Sequence, residues 1–271
     1  MFSLGLFLRR LPLLRPIRRF FYTHSFTGLR KEIFGLKLAN PIGAAGTSIK
    51  DGGRIMGALS DFGYGFIEVE GSRETLEYLR RGESDVPVFA CIKVTCANRS
   101  EEDTISSTDR LFSTLYDFAD GFVLSRDLSD PNPLLTDESF VRDLLEDIIS
   151  TRLSEEIYKP LLVKVDTSMD PGLIDTLVGF CRLSGIDGIV LEGDSVAEAV
   201  DLASGIVEKT SARFPVVVSA PFRMASEASE AFSKGISLLM LKPYKGNPIP
   251  HPKDILRVLE DEYNGQEKTF E

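Results

Sequence analysis

Eight short apolar runs, each followed by a segment of helical periodicity, constrain the fold of this chain more than any other feature of its sequence. The runs lie at residues 41–45, 65–69, 87–94, 121–124, 161–165, 188–191, 215–219 and 237–241. Short runs that are apolar throughout are typical of strands buried on both faces, and strands separated by helices pair in parallel. Eight such units in 271 residues predict a closed (β/α)8 TIM barrel.

Helix signals fill the intervals between these runs. Helical periodicity covers residues 52–62, 74–81, 101–118, 138–153, 171–184, 196–213, 225–234 and 253–263. Ser100 stands three residues before Asp103, and Asp170 directly precedes Pro171; both pairs are typical of helix starts. Residues 32–38 predict a short hairpin that closes the bottom of the barrel.

The N-terminal 31 residues differ in charge from the rest of the chain. Residues 1–31 contain seven basic residues and no acidic one, so the remainder carries −17 within the total of −10. We therefore predict two parts: a basic amphipathic N-terminal extension over 1–31 and a single barrel domain over 32–271. The strongly acidic barrel argues against nucleic acid as its partner.

Residues 2–22 alternate bulky apolar side chains with arginines. No stretch approaches the roughly 20 uncharged residues that span a bilayer, so a segment lying on an anionic membrane surface is expected over residues 1–22. A cleaved signal or transit peptide and an ordinary helix packed on one end of the barrel are the alternatives.

Cysteine and histidine usage narrows the possible chemistry. The cysteines, Cys91, Cys96 and Cys181, are odd in number and fall in predicted core or strand-end positions, which indicates free thiols in a reducing compartment. The two histidines, His24 and His251, form no HExxH motif, and the chain has no CxxC pair. Zinc sites and Ser-His-Asp catalysis therefore lack their parts, and no metal is expected.

In this architecture, function gathers at the carboxyl ends of the strands, called the barrel mouth below. Around Lys164 the predicted mouth is rich in acidic residues: Glu70, Asp127, Asp130, Asp166, Glu192 and Asp194. Such a field is unfavourable for a bound phosphate. From the residues alone, Lys164 is best interpreted as part of a structural ion pair. A Schiff-base lyase or aldolase would need a lowered lysine pKa, which carboxylates oppose.

Four segments resemble the membrane-associated class 2 dihydroorotate dehydrogenases, FMN-dependent barrels of pyrimidine biosynthesis that oxidise dihydroorotate to orotate and pass electrons to quinone. They are residues 11–15, 33–43, 63–69 and 161–165, and weaker echoes at 119–123 and 234–241 extend the likeness over nearly the whole chain. The resemblance implies FMN as cofactor, a dihydroorotate-like substrate and quinone as acceptor. It also implies a cytoplasmic protein held peripherally at the inner face of the membrane.

The resemblance also implies a cofactor site at the mouth. Ala45, Gly46 and Lys50 match the first loop of the family, which lies against the flavin ring and the substrate. Ser72 stands for a family threonine that contacts FMN, and Lys164 matches a lysine that contacts the flavin ring, where a positive charge stabilises the reduced form.

The catalytic loop of the family contains a Ser-Pro-Asn run whose serine acts as the base. Here residues 129–132 read Ser-Asp-Pro-Asn. The resemblance makes Ser129 and Asp130 the candidate bases and Asn132 a substrate-binding residue; aspartate is the stronger base, but it repels a carboxylate substrate.

Two turns depart from the family pattern. The family holds the FMN phosphate with a Gly-Gly after the seventh strand and a Tyr-Thr-Gly after the eighth, whereas this chain has Ala220-Pro221 and Lys242-Pro243-Tyr244. Proline has no backbone N–H, so two phosphate donors are lost, and Lys242 would replace part of them as a point charge. Two hypotheses follow. The chain is either a divergent FMN oxidoreductase or a barrel of the same descent that lacks FMN and acts in binding or regulation.

Overall fold

Eight parallel strands form a closed barrel at the centre of the described chain. The computed structural model describes residues 27–45, 56–82, 84–96, 99–126, 137–243 and 249–267. The barrel strands are β3 (Ile42–Ala45), β4 (Phe66–Glu70), β5 (Val88–Val94), β6 (Gly121–Arg126), β7 (Leu161–Asp166), β8 (Gly188–Glu192), β9 (Val216–Ala220) and β10 (Leu238–Leu241). Each lies on one of the eight apolar runs of the sequence, so the predicted (β/α)8 TIM barrel is confirmed.

The barrel is closed by its last strand. Consecutive strands pair in parallel from β3 to β10, and β10 then pairs with β3, with Leu239 opposite Ile42. At the other side of β10, Leu241 lies opposite Ala220 of β9. The turns after β9 and β10 are therefore neighbours at the mouth.

Helices connect the strands on the outside. They are α1 (Met56–Asp61), α2 (Arg73–Arg80), α3 (Glu101–Tyr116), α4 (Glu138–Ser154), α5 (Pro171–Leu183), α6 (Val196–Lys209), α7 (Ala225–Ser233) and α8 (Lys253–Glu267). The predicted caps are in place, because the side chains of Ser100 and Asp170 accept hydrogen bonds from first-turn amides of α3 and α5. Helix α6 ends four residues before its predicted end, since Ser211 and Ala212 adopt left-handed backbone angles (φ 52° and 56°).

The predicted hairpin closes the bottom of the barrel. Its strands β1 (Lys31–Ile33) and β2 (Leu36–Leu38) pair antiparallel through a turn at Phe34 and Gly35, both at positive φ. The Phe34 ring packs edge-on against Phe89, with 6.5 Å between ring centroids. A ligand of the barrel interior must therefore enter from the mouth.

The interior changes from apolar to polar between bottom and mouth. Its lower part is a cluster of buried apolar side chains that includes Phe66, Phe89, Leu162 and Leu238. Because side chains of a strand alternate between faces, residues two positions further along point into the same interior nearer the mouth. On β4 and β7 these residues are Glu68 and Lys164, respectively.

The described residues also bear on the predictions about cysteines, membrane helices and the domain boundary. Cys91, Cys96 and Cys181 are buried and form no disulfide, as expected. No helix within the described ranges is long and apolar enough to cross a membrane. The boundary between 1–31 and 32–271 stays a prediction, because residues 1–26 lie outside the described part.

Candidate functional site at the barrel mouth

A buried lysine between two carboxylates forms the centre of the mouth. Lys164 Nζ lies 2.6 Å from Glu68 Oε1 and 3.2 Å from Glu192 Oε2. The Lys164 side chain is 4% exposed, that of Glu68 is not exposed at all, and that of Glu192 is 21% exposed. The expected structural ion pair of Lys164 is thus present, and its partners come from β4 and β8 on either side of the interior.

The ion pairs govern the charge states of this centre. Burial acts to lower the pKa of Lys164, but the nearby carboxylates, above all Glu68, outweigh it and raise this pKa above its ordinary value. Burial acts to raise the pKa of Glu192, but Lys164 and Lys242 outweigh it and lower this pKa. A lysine held in its ammonium form cannot attack a carbonyl, so the geometry opposes the Schiff-base alternative.

The network extends to the rim through a second lysine. Lys242 Nζ, just beyond the end of β10, lies 3.3 Å from Glu192 Oε1 and 3.0 Å from Asp194 Oδ1. From the interior outwards, acidic and basic side chains therefore alternate: Glu68, Lys164, Glu192, Lys242 and Asp194. Both lysine charges are compensated, so Lys242 is not the free point charge that the sequence suggested for a phosphate.

The turns after β9 and β10 offer few amide donors. Pro221 and Pro243 have no N–H, and the amides of Phe222 and Lys242 both donate to the Ala220 carbonyl, at 2.9 and 3.2 Å. The next two amides, of residues 223 and 224, donate to a single carboxylate oxygen of Glu227. Each of the six backbone positions 221–224 and 242–243 thus either lacks an N–H donor or already uses it in a hydrogen bond within the protein. These positions do not fit the phosphate of FMN, because they have no donor left for it.

An acidic cavity of about 640 Å³ opens beside these turns. It is lined by three carboxylates, those of Asp166, Asp194 and Glu198, together with hydroxyl side chains and Pro243. The Ser195 hydroxyl is engaged as the cap of α6 and accepts from the Glu198 amide. Carboxylates facing a cavity repel anions, so this part of the mouth suits a neutral or cationic molecule better than a phosphate or carboxylate.

The described candidates for the cofactor site lie on three different elements. Ala45 is fully buried at the end of β3, and Lys164 lies in the interior network. Ser72 is the N-cap of α2, and its hydroxyl accepts from the Thr75 amide at 3.2 Å. The remaining candidates, namely Gly46, Lys50, Ser129, Asp130 and Asn132, lie outside the described residues, and their roles stay predictions.

Sequence reasoning missed Glu68. It placed Glu70 at the mouth because that residue follows the apolar run, but Glu70 pairs with Lys93 at 3.2 Å and both are about half exposed. Glu68 lies inside the run, where a carboxylate must have a partner. The two-residue period from Phe66 was the available signal that Glu68 points into the interior.

The fold and this site define a parallel (β/α)8 barrel whose mouth is charged. No family model matches the chain. Two curated proteins named dihydroorotate dehydrogenase (quinone) are similar to it in sequence. The protein of Christiangramia forsetii is 22% identical over 270 aligned positions, which cover 79% of this chain and 78% of that protein. The protein of Sphingopyxis alaskensis is 22% identical over 293 aligned positions, which cover 85% of this chain and 80% of that protein.

Solved structures of DHODH from Eimeria tenella have the same fold. The complex with ferulenol superposes with a TM-score of 0.69 and 15% identity, covering 95% of this chain and 92% of that chain. The ligand-free type superposes with a TM-score of 0.67 and 15% identity, covering 93% of this chain and 93% of that chain. These relatives confirm the resemblance in the sequence to the dihydroorotate dehydrogenases, and the solved structures confirm the shared fold.

Proposed function

We propose that this chain is a non-catalytic barrel of dihydroorotate dehydrogenase descent that no longer holds FMN at its mouth and that acts as a binding or regulatory protein. The observation that carries the proposal concerns the backbone amides of the two turns after β9 and β10. At the described positions 221–224 and 242–243, each amide is either replaced by proline or engaged within the protein.

The loss of these donors is large enough to matter. A hydrogen bond to a charged group contributes about 1.5–3 kcal/mol. Losing two of them would weaken phosphate binding by about 3–6 kcal/mol, which corresponds to roughly 10²- to 10⁴-fold in affinity. The carboxylates that line the neighbouring cavity, Asp166, Asp194 and Glu198, add repulsion.

The state of Lys164 supports the same proposal. A lysine stabilises a reduced flavin through its positive charge, and carboxylates close to that charge weaken the effect. Here Glu68 and Glu192 surround its ammonium group at 2.6 and 3.2 Å. The lysine therefore stabilises the protein's own carboxylates.

A binding role has support in the barrel interior. The Ser219 hydroxyl on β9 is fully buried beside Glu192 and has no hydrogen-bond partner in the described part of the chain. A buried polar group without a partner is costly, and a small polar molecule or an ordered water would satisfy it.

Titration with FMN tests the proposal. Flavin fluorescence of added FMN is followed as the full-length protein is added. The proposal predicts either no saturable change in fluorescence or a change that is the same in a folded Lys164→Met variant, in which the mouth lysine is replaced. Saturable FMN binding that Lys164→Met weakens, while circular dichroism shows the variant to be folded at the assay temperature, would contradict the proposal, because such binding would place the flavin at the mouth.

The second candidate is an active dihydroorotate dehydrogenase-like oxidoreductase. The names of the sequence relatives and the position of Lys164 in the mouth favour it. FMN and a dihydroorotate-like substrate would then meet Ala45, Gly46, Lys50 and Asn132, with Ser129 or Asp130 as base and quinone as acceptor. Dihydroorotate-dependent quinone reduction by the purified protein would support this candidate over the first.

The N-terminal segment extends the proposal to the membrane. Its basic and apolar residues support peripheral attachment through residues 1–22 at the cytoplasmic, inner face of a membrane. The full-length chain should sediment with vesicles that contain anionic lipid, and a chain without residues 1–22 should not. Equal sedimentation of the two chains would contradict the attachment.

A further inference from the structure

A second cavity, of about 660 Å³, lies on the outer wall between α2 and α3 and has the opposite charge from the mouth. We call it the arginine groove, after the three arginines that line it: Arg73, Arg99 and Arg110. Asp103 is the one acidic residue among the described residues of its wall. Its lining therefore carries a formal charge of +2, in a chain whose net charge is −10.

The arginines are available to a ligand. None of the three forms an ion pair with a described residue, and the Arg99 guanidinium makes a single hydrogen bond, to Ser107 Oγ at 3.0 Å. Ion pairs within the described chain engage other basic residues, including Arg152, Lys209 and Lys234. Their positive charges are therefore available to an anion from solution.

The polar side chains of the wall lie on one face of α3, where the hydroxyls of Ser107 and Thr114 donate to backbone carbonyls of the helix. On α3, residues 103, 106, 107, 110 and 114 follow one another at helical spacing, so they share the face that lines the groove. This face brings hydroxyls of two serines and a threonine next to Arg110. Across the groove, α2 begins at Arg73, and the amino end of a helix carries the positive end of its dipole.

We propose that the arginine groove binds the phosphate group of a small organic phosphomonoester. Guanidinium groups bind phosphate oxygens through paired N–H donors. The cavity lies within the range of about 300–1,000 Å³ that small-molecule sites occupy, which leaves room for an organic part beside the phosphate. The groove includes Ser72 of the predicted cofactor site but shares no lining residue with the acidic cavity, and the proposal does not depend on the fate of FMN at the mouth.

Calorimetric titration of the full-length protein at low ionic strength tests the proposal with AMP, inorganic phosphate and adenosine. AMP should bind with saturation and inorganic phosphate more weakly, whereas adenosine should not bind. Arg73→Gln and Arg110→Gln should each weaken AMP binding about tenfold, since one charge-assisted hydrogen bond is worth about that much. Binding should also fall at about 1 M salt, where the Debye length is about 3 Å.

Arg213→Gln is the matched control, because Arg213 is likewise exposed and lies outside the groove. Its AMP affinity should equal that of the unaltered protein. The proposal is overturned if AMP and phosphate show no saturable binding, if adenosine binds as well as AMP, or if Arg213→Gln weakens binding as much as the groove variants do. Circular dichroism and thermal unfolding of each variant, expected to be unchanged, show that a loss of binding is not a loss of fold.

Discussion

Replacing Lys164 with methionine should destabilise the barrel strongly. At the 2.6 Å distance between Lys164 Nζ and Glu68 Oε1, the Coulomb attraction is about 6 kcal/mol for an effective dielectric constant of 20. Burial of the two ions offsets much of this attraction, since each loses several kcal/mol of solvation. When the lysine is removed, the Glu68 carboxylate stays buried, and this cation no longer offsets its desolvation cost. Measured costs of breaking buried pairs in this way are about 3–5 kcal/mol.

The two partners should respond differently. Glu68→Leu leaves Lys164 with its second carboxylate, Glu192 at 3.2 Å, and should cost less than Lys164→Met. The double variant Glu68→Leu/Lys164→Met removes both charges and should recover a large part of the loss. Urea unfolding followed by circular dichroism gives the free energy of each variant by linear extrapolation. The reasoning is refuted if Lys164→Met costs less than about 1 kcal/mol, or if the double variant is as unstable as the sum of the two single variants.

Three further predictions follow from particular residues. Gly65→Ala should strongly lower the unfolding temperature, because a Cβ there would lie 1.9 Å from a backbone carbonyl oxygen. At Gly205, by contrast, an added Cβ would have no atom within 4 Å, so Gly205→Ala should raise the free energy of unfolding by about 0.5–1 kcal/mol. Lys164 and a second lysine lower the pKa of Glu192 from its ordinary value of 4.5, so its contribution to stability is present above that pH and is lost as the pH falls through the lowered value. Glu192→Gln should therefore reduce the loss of stability on acidification, and an unaltered acid unfolding profile would contradict this. Burial raises the pKa of the Cys91 thiol to about 12, so iodoacetamide at pH 8 should label it only after unfolding in urea, as peptide mass spectrometry can measure.

The strands were predictable from sequence because each is a local pattern. An apolar run such as residues 161–165 is best explained as a buried strand when predicted helices flank it on both sides. Eight such strands are typical of one common closed architecture, the (β/α)8 barrel. The ends of helices were less predictable. The sequence from Thr210 to Arg213 continues a helical pattern, and only the left-handed backbone at Ser211 and Ala212 ends α6 early.

The charged network was not predictable in the same way. Glu68 and Lys164 are 96 residues apart, and their contact depends on the register and curvature of the whole barrel. Sequence alone identified Lys164 as a member of an ion pair but could not say which of the nearby carboxylates holds it. The loss of amide donors at Pro221 and Pro243 was visible in the sequence. That the amides of Phe222 and Lys242 turn inward to the Ala220 carbonyl was not visible, because it depends on the path of the two neighbouring turns.

The flavin content of the full-length protein tests the central claim most directly. The protein is purified gently from cells supplied with riboflavin, denatured, and assayed for released FMN against protein concentration. Colourless protein that releases no FMN is expected, because the described positions of the two turns, 221–224 and 242–243, leave no amide donor for its phosphate. One FMN released per chain would contradict the claim.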